Sequence, residues 1–210
     1  MTRIYHITHV TNLASILQRG GILCDRSCNA GNVQTQQIGY AHIKQRRMAR
    51  VVPLPPQGTL GDYVPFYFAP RSPMLYTIER RNTPGYQEGQ RRIIHLVSSI
   101  ETVQAARPPV TWLFTDGHAD MQYSNFFSSV DDLDKVDWPL MTARFWNDTS
   151  ADGDRKRRRQ AEFLVHQFFP WNLVETVGVI DQNLADEAEQ VLQTAAHHPE
   201  VRIERAWYYH

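Results

Sequence analysis

The chain has 210 residues, of which 22 are basic and 22 acidic, so its formal net charge is zero. That balance argues against a protein that binds polyanions through its overall charge alone. With 42% hydrophobic and 21% charged residues, the composition is that of a folded globular protein, and the length predicts one domain over 1–210.

The first fifty residues predict a strand, a short helix, a loop and a second helix. Residues 3–8 are β-prone, and Thr11 can cap a helix that ends at the double glycine of 20–21. The polar stretch 25–37 predicts a loop. Residues 38–50 place basic and apolar side chains at helical spacing, which predicts a helix with one cationic face.

Strands dominate the remainder of the chain. The proline-rich stretch 53–62 cannot form regular structure. Runs of β-branched and aromatic residues predict strands at 64–69, 92–97, 110–115, 160–166, 174–180 and 201–209. Residues 125–135 predict a short helix, and Asn183 is the predicted N-cap of the last one. Because β-α-β alternation is absent, we predict an α+β fold of mainly antiparallel sheets flanked by helices.

The cysteines and the hydropathy pattern bear on metals and location. Cys24 and Cys28 form a single C-x₃-C pair, which is a poor zinc motif, so we expect two free thiols in a reducing compartment. The N-terminus is polar, and no apolar run approaches the roughly 20 residues that a transmembrane helix needs. We therefore expect a soluble, cytoplasmic protein.

Basic residues are clustered although the net charge is zero. Residues 155–159 read Arg-Lys-Arg-Arg-Arg, and the acidic residues gather elsewhere, at 131–137 and 181–189. A second basic group consists of Lys44, Arg46, Arg47 and Arg50. Each cluster is either a solvated charged surface or a wall that contacts phosphates.

Glu162 is the most informative residue of the sequence. It lies in an apolar, β-prone run and shares a strand face with Leu164 and His166. A carboxylate on a buried strand is costly unless it is paired or functional. The pattern leaves open an edge-strand glutamate that faces water or pairs with an arginine. A glutamate that projects into a cleft can bind a sugar hydroxyl or accept a proton.

The opening strand and the aromatic residues offer further candidates. His6-x-Thr8 at a strand end, followed by a short helix, can present side chains and N–H groups to an anion or a ribose, although a single strand histidine is more often structural. Tyr67, Met74 and Tyr76 belong to the core or offer faces that stack on a nicotinamide ring or a nucleobase.

Several common enzyme motifs are missing. The chain has no G-x-x-x-x-G-K-[ST], no G-x-G-x-x-G, no H-E-x-x-H and no G-x-S-x-G. Their absence excludes the commonest NTPase, dehydrogenase, zinc-protease and α/β-hydrolase classes.

Taken together, the motifs resemble a known family. The segment Tyr5–Thr8, with the following Asn12-Leu13 and the double glycine, is similar to the N-terminal NAD-binding element of ADP-ribosyltransferases. More specific patterns are Ile43-Lys44-Gln45-Arg46-Arg47, Asp62-Tyr63-Val64-Pro65-Phe66-Tyr67-Phe68, Pro70-Arg71-Ser72-Pro73-Met74-Leu75 and Ala161-Glu162-Phe163-Leu164-Val165. In this order, over essentially the whole chain, they resemble DarT, the family of DNA-modifying ADP-ribosyltransferase toxins of DarT–DarG toxin–antitoxin systems.

The resemblance implies a fold, substrates and a partner. It implies an ADP-ribosyltransferase-like split β-sandwich with a cleft for NAD⁺ as co-substrate and no metal. It implies single-stranded DNA as the acceptor, with thymine as the usual target and guanine in a sister branch. It also implies a macrodomain antitoxin of the DarG type that removes the modification.

The resemblance further assigns roles to individual residues. Glu162 would be the catalytic glutamate, and the essential arginine would be Arg46, Arg47 or Arg50, with Arg47 favoured. The NAD⁺ contacts would be His6, Thr8, Asn12, Leu13, Tyr67 and Arg71. The DNA contacts would be Arg50, Met74, Tyr76, Arg155 and Arg157.

Other functions stay open on the residues alone. An RNA 2′-phosphotransferase shares the His-x-Thr opening but fits the Glu162 strand poorly. A protein-directed ADP-ribosyltransferase is a second alternative, which can be tested by offering protein instead of DNA. A non-catalytic nucleic-acid-binding module would need only the two basic clusters. A metal-dependent nuclease would need a carboxylate cluster for two metals, which the sequence does not offer.

Overall fold

A long, mostly antiparallel sheet is the centre of the computed structural model, which describes residues 1–210. The strands are β1 Arg3–His9, β2 Gly21–Leu23, β3 Tyr63–Tyr67, β4 Ile93–Ser99, β5 Trp112–Thr115, β6 Phe126–Phe127, β7 Glu162–His166, β8 Phe168–Pro170, β9 Thr176–Val179 and β10 Glu200–Ile203. Eight strands form the main sheet in the order β10-β9-β4-β1-β3-β7-β5-β6, and β2 pairs with β8 in a second sheet. Every pairing is antiparallel except that of β9 with β10.

Eight short helices flank these sheets. They are α1 Leu13–Gln18, α2 Asp25–Ala30, α3 Ala41–Ala49, α4 Pro73–Glu79, α5 Ile100–Ala105, α6 Trp138–Thr142, α7 Arg155–Arg158 and α8 Gln182–Leu192. None of the eight is both long enough and apolar enough to span a bilayer. The α+β class predicted from the strand pattern is confirmed.

Local hydrogen bonding explains where several elements begin. The Ser72 hydroxyl accepts a hydrogen bond from the Leu75 N–H at 3.1 Å, and Pro73 follows at the first helical position of α4. The Asp181 carboxylate accepts from the Leu184 N–H at 3.0 Å and caps α8. The prediction that Asn183 caps this helix was therefore wrong by two residues.

Other differences lie where sequence periodicity is weak. The predicted loop at 25–37 contains α2, whose residues are polar and none of which is buried, so no apolar stripe indicates it. The predicted helix at 125–135 consists of β6 and a 3₁₀ turn at Val130–Lys135. The predicted strand at 201–209 ends at Ile203, because the chain then turns inward and buries Tyr208 completely.

The other strand predictions are confirmed to within two residues at each end. These strands contribute ten residues to a core of 32 buried residues, and the apolar face of α8 contributes four more. In the core region of the sheet, β7 pairs with β3 on one side and with β5 on the other. The strand that carries Glu162 is therefore one of the best-supported elements of the fold.

A buried arginine fixes the position of α6. Arg159 is only 2% exposed. Its Nη1 donates to the carbonyl oxygens of Leu140 and Met141, the latter at 2.6 Å, and its Nη2 donates to the Arg71 carbonyl at 2.9 Å. Burial lowers the pKa of this guanidinium to about 10, which leaves it charged at neutral pH. Arg159, the last residue of the predicted basic cluster at 155–159, therefore has a structural role: it holds α6 in place.

We predict that Arg159→Met lowers the free energy of unfolding by about 3 kcal/mol, because it removes the hydrogen bonds that the guanidinium donates to three carbonyl groups inside the protein. Chemical denaturation measures this loss. Lys156→Met, on the same basic run but with an exposed side chain, is the matched control and should change the stability by less than about 0.5 kcal/mol. Equal losses of unfolding free energy for the two variants would contradict the structural role of Arg159.

A second buried ionisable group lies on β4. His95 is fully buried; its Nε2 donates to the Pro70 carbonyl at 3.1 Å, and its Nδ1 lies 3.2 Å from the Tyr208 hydroxyl. Burial lowers its pKa to about 4. The folded protein therefore keeps this imidazole neutral well below the pKa of about 6.5 that it has in an unfolded chain.

We predict an acid-sensitive contribution from His95. Because its pKa is lower in the folded state, the unfolded chain takes up the proton first, and stability is lost as the pH falls from 6.5 towards 4. Between pH 7 and 4 the wild type should lose about 3 kcal/mol more than His95→Gln, as followed by denaturation at each pH. If the stability of the two proteins changed with pH in the same way, the contribution assigned to His95 would be contradicted.

Candidate active site

A cleft of about 560 Å³ opens beside the end of β7. Its walls come from β1, β3, α3 and α4, and from the segments 35–40 and 146–147. Eight of the fourteen predicted site residues line this cleft, and the other six do not. Those that line it are His6, Thr8, Asn12, Arg47, Tyr67, Met74, Tyr76 and Glu162.

A buried ion pair forms the floor of the cleft. Glu162, the first residue of β7, is 2% exposed, and Arg47, in the last turn of α3, is 8% exposed. Arg47 Nη1 donates to both carboxylate oxygens of Glu162, at 3.1 Å to Oε1 and 2.9 Å to Oε2. Of the three arginines proposed from the sequence, Arg47 is therefore the one that contacts Glu162.

Backbone groups hold the carboxylate in place. The Ala119 N–H donates to Glu162 Oε1 at 3.0 Å, and the Glu162 N–H donates to the Thr115 hydroxyl at 3.1 Å. Across the sheet, Glu162 is paired with Tyr67 of β3. Donors from a helix and from a loop therefore converge on one carboxylate, whose orientation is fixed before any ligand binds.

One donor of the ion pair has no partner. Arg47 Nη2 is buried and makes no hydrogen bond within the protein. A buried N–H group without an acceptor costs about 1–3 kcal/mol, so such groups are rare unless a ligand or water satisfies them. Because Arg47 lines the cleft, this nitrogen is available to an acceptor atom of a bound molecule.

His6 contributes a neutral ring to the cleft. Its Nδ1 donates to the Pro65 carbonyl at 2.8 Å, and its ring packs against Phe66. Burial lowers the pKa of this imidazole below its ordinary value. With Nδ1 carrying the proton, Nε2 is left as a hydrogen-bond acceptor.

Asn12 ties one wall of the cleft to β1. Its Nδ2 donates to the Thr8 hydroxyl at 3.0 Å and to the Gln36 carbonyl at 3.1 Å, while its Oδ1 accepts from the Gln36 N–H at 2.7 Å. Both ends of the amide are therefore used to hold residues 35–40 in place. The neighbouring Leu13 is fully buried in the core and does not line the cleft.

Aromatic and sulfur-containing side chains form the opposite wall. The Tyr67 hydroxyl donates to Met74 Sδ at 3.6 Å. Burial, with a smaller contribution from the Glu162 charge, raises the pKa of Tyr67, which keeps the phenol neutral. Tyr76 meets Trp146 edge to face, at 5.7 Å between ring centroids. This wall is apolar apart from its hydroxyl groups and suits a planar ring.

The sequence predictions did not include His118, which also lines the cleft. Burial lowers its pKa, and the nearby Glu162 charge acts in the opposite direction. The Asp116-Gly117 pair directly before His118 predicts a turn. The sequence does not show that this turn lies at the cleft, because that depends on the pairing of β5 with β7. Gln36 and Trp146 reach the cleft for similar non-local reasons.

The predicted basic clusters are largely neutralised within the protein. Arg46 pairs with Asp120 at 2.5 Å, and Arg50 Nη2 donates to the carbonyls of Met121 and Gln122 at 3.4 and 3.3 Å. Neither arginine lines the cleft. The arginines expected to form a cationic face on α3 therefore contact a carboxylate and backbone carbonyl groups of the protein itself.

The 155–159 run behaves in the same way. Arg157 pairs with Asp116 at 2.8 Å and with Asp154 at 2.7 Å, and its side chain is largely buried. Arg155 donates to the carbonyls of Phe145 and Asn147 at 2.8 and 3.1 Å. The structure thus does not present this run as a free phosphate-binding wall, because its guanidinium groups are used to brace neighbouring loops.

Arg71 also lies outside the cleft lining. Its carbonyl oxygen accepts hydrogen bonds from Arg159 and from the Tyr209 hydroxyl. The backbone at this position therefore has a clear structural role, whereas the structure shows no contact between the Arg71 side chain and the predicted NAD⁺ site.

Comparison with known proteins identifies the class. The DNA ADP-ribosyl transferase of Thermus aquaticus is 47% identical over 210 residues, which span 99% of this chain and 89% of that protein. Thermus sp. 2.9 DarT in complex with ADP-ribosylated ssDNA superposes with a TM-score of 0.92 at 42% identity, covering 99% and 96% of the two chains. The same protein in complex with NAD⁺ superposes with a TM-score of 0.87 at 39% identity, covering 99% and 98%. The fold is thus that of an NAD⁺-dependent ADP-ribosyltransferase.

The family follows from the same comparisons. A family model described as ssDNA thymidine ADP-ribosyltransferase, DarT, matches residues 5–209. The chain belongs to the DarT family, as the resemblance predicted. A more distant relative is a DNA ADP-ribosyl transferase–DNA ADP-ribosyl glycohydrolase fusion protein of Thermosipho africanus, 24% identical over 199 residues that span 90% of this chain and 45% of the fusion.

We predict that the floor of the cleft is energetically coupled. Glu162→Ala leaves the buried Arg47 charge unpaired and should lower the free energy of unfolding by about 3–5 kcal/mol. Adding Arg47→Met removes that charge, so the double variant should regain a large part of the loss. Chemical denaturation of the two single variants and the double variant completes a double-mutant cycle, and strictly additive losses would contradict the coupling.

Proposed function

We propose that this protein transfers ADP-ribose from NAD⁺ to a thymine base of single-stranded DNA and releases nicotinamide. The observation that carries the proposal is the Arg47–Glu162 pair at the floor of the cleft, with Arg47 Nη2 left without a partner. Membership of the DarT family supports DNA as the acceptor and thymine as the target. We further propose that residues 1–210 act as one catalytic domain.

The cleft has the size and the donor set that NAD⁺ requires. Its volume of about 560 Å³ falls within the range of small-molecule sites. Arg47 Nη2 offers a donor at the floor, and the neutral His6 ring offers an acceptor at the wall. The apolar surface around Tyr67 and Met74 suits the nicotinamide ring. No cluster of three potential metal ligands is present in the structure.

Glu162 has the central role in the proposed chemistry. When the bond from the ribose C1″ to nicotinamide breaks, the bonding electron pair leaves with nicotinamide and the ribose gains oxocarbenium character. The carboxylate of Glu162 accepts a hydrogen bond from the 2″-hydroxyl and stabilises the positive charge. Because Arg47 and Ala119 already fix its orientation, this stabilisation needs no rearrangement in the transition state.

A thymine ring nitrogen then attacks C1″ and loses its proton. Arg47 stays protonated and cannot be a simple base; it orients Glu162 and donates from Nη2 to the reacting groups. Glu162 accepts the proton, and the neutral His118 ring, which lies in the same cleft, orients the base. A base must be unstacked to reach this floor, which favours a single strand over a duplex.

The biological setting follows from the same family. The Thermosipho relative joins a DNA ADP-ribosyl transferase to a DNA ADP-ribosyl glycohydrolase in one chain. We propose that this protein is a toxin and that a macrodomain antitoxin of the DarG type reverses its modification. Because NAD⁺ and DNA are both present in the cytoplasm, we propose that it acts there.

The test is incubation with NAD⁺ and a set of single-stranded oligonucleotides, read by mass spectrometry. The set includes strands without thymine, strands without guanine, and a duplex of the best substrate. We expect the mass of ADP-ribose to be added to strands that contain thymine, and not to the duplex. Modification of thymine-free strands would redirect the proposal to another base, and intact NAD⁺ with every strand would overturn it.

We predict that Glu162→Gln lowers the rate of transfer by at least 10³-fold, because a neutral amide does not stabilise the oxocarbenium-like charge. NAD⁺ binding, measured by calorimetry, should be largely retained. The matched control is Glu187→Gln, which alters a surface ion pair with Arg92 at 2.5 Å and should leave the rate unchanged. Transfer at the wild-type rate by Glu162→Gln would remove the role assigned to this residue.

A further inference from the structure

Two aromatic side chains are exposed to solvent, whereas most other aromatic side chains of the protein are buried or partly buried. Tyr123 is 60% exposed and Phe145 is 72% exposed. The other large hydrophobic residues with comparable exposure are Met1, Val51 and Ile203, none of which is aromatic. Exposed rings that occur near a cleft are candidates for contacts with a binding partner.

A rigid loop presents Tyr123. Residues 116–125, which connect β5 to β6, are held by hydrogen bonds at both ends, from the Asn125 N–H to Asp116 Oδ1 at 3.0 Å and from the Ser124 hydroxyl to the His118 carbonyl at 2.7 Å. The Arg157 guanidinium lies 5.3 Å from the centroid of the Tyr123 ring. Because Arg157 is itself fixed by two aspartates, the ring has a firm support and an exposed surface.

The same loop reaches the catalytic carboxylate. Ala119, four residues before Tyr123, donates its N–H to Glu162 at 3.0 Å. His118, in the same loop, lines the cleft. The exposed ring is therefore attached to the mouth of the cleft by a short and well-braced segment.

Phe145 is placed similarly on the other side of α7. Its carbonyl oxygen accepts from Arg155 at 2.8 Å, and the exposed Arg144 lies 5.4 Å from its ring centroid. The next residue, Trp146, lines the cleft. Arg155, which contacts the Phe145 backbone, and Arg157, which contacts the Tyr123 ring, lie about 200° apart around α7.

Lys156, the α7 residue between these two arginines, lines the cleft. Its side chain is 55% exposed, and its only acidic neighbour is Asp148 at 3.8 Å. Arg144 places a second positive charge beside the Phe145 ring. This combination of stacking faces and accessible cations suits unpaired nucleotides, whereas the internally paired arginines of this region do not.

We propose that Tyr123 and Phe145 stack on the nucleotides that flank the modified base, one on each side of α7, and so position the acceptor strand. This inference rests on the proposed function, since it assigns the flanking nucleotides of the same acceptor. The two rings are positioning residues: they hold the strand while Glu162 and Arg47 act on the target base.

The test compares intact strands with strands in which a nucleotide next to the single thymine is abasic. For the wild type, an abasic neighbour should raise the KM for DNA at least fivefold, as expected for the loss of one stacked base. The double variant Tyr123→Ala/Phe145→Ala loses two stacking contacts, so its KM with the intact strand should rise by at least about 25-fold, with no further increase for abasic neighbours. Its kcat and its KM for NAD⁺ should match those of the wild type.

Three controls separate stacking from other effects. Tyr123→Phe keeps the ring and should retain the wild-type KM. Ile203→Ala shortens an exposed apolar side chain on β10, at the opposite end of the sheet from β6, and should change nothing. Thermal denaturation should show that both alanine variants are folded. A fall in kcat would indicate that the loop change disturbs the Ala119–Glu162 contact instead, and would overturn the stacking role.

Two further results would also overturn the inference. One is an unchanged KM in the double variant, and the other is a double variant that still responds to abasic neighbours as the wild type does. If the wild type modifies no strand at all, the proposed function fails, and the assignment of the rings fails with it. These results are distinguishable, because only the last of them abolishes the wild-type reaction.

Discussion

The buried ion pair between Arg47 and Glu162 is the interaction on which the cleft depends. It joins a helix to a strand across 115 residues of sequence. Removing two charges from water costs several kcal/mol for each ion, and the attraction between them offsets this only when the geometry is good and further hydrogen bonds are made. The Ala119 N–H supplies one such bond to the carboxylate. The guanidinium is less completely satisfied, since Nη2 has no partner, which is the pattern expected of a site that completes its hydrogen bonding with a ligand.

A second constraint is the way in which the protein uses its positive charge. Its basic residues are clustered in sequence, yet most of the guanidinium groups in those clusters contact acidic side chains or backbone carbonyls. Arg158, for example, pairs with Asp137 and Asp152. These contacts hold together loops that have little regular structure of their own. As a result, little free charge remains for phosphates, and an acceptor strand must be recognised largely through the shape of the cleft and through stacking.

The sequence predicted the parts of this structure that depend on local pattern. Strand runs such as 160–166 are apolar and β-prone whatever their partners, so their positions were predicted to within two residues. Glu162 stood out because a carboxylate in such a run is unusual, and the family resemblance selected Arg47, which the structure places against it. By contrast, α2 has no buried face that periodicity could reveal.

Contacts between distant segments explain what the sequence did not predict. The sequence of an arginine run does not show whether its side chains contact phosphates or aspartates. Asp116 meets Arg157 only in the folded protein. Likewise, His118 enters the cleft because its loop follows β5, and β5 pairs with β7. The internal use of the 155–159 run was therefore beyond local reasoning, although each of its acidic partners is visible in the sequence.

The 116–125 loop connects the chemistry of the cleft to its surroundings. On its inner side Ala119 orients Glu162, and on its outer side Tyr123 is exposed above Arg157. Because side-chain hydrogen bonds brace the loop at both ends, its inner and outer sides belong to one rigid segment. The same rigid segment therefore carries part of the proposed acceptor surface and fixes the orientation of the catalytic carboxylate. That is a physical reason for a base-modifying enzyme to build its acceptor surface from the loop that holds its glutamate.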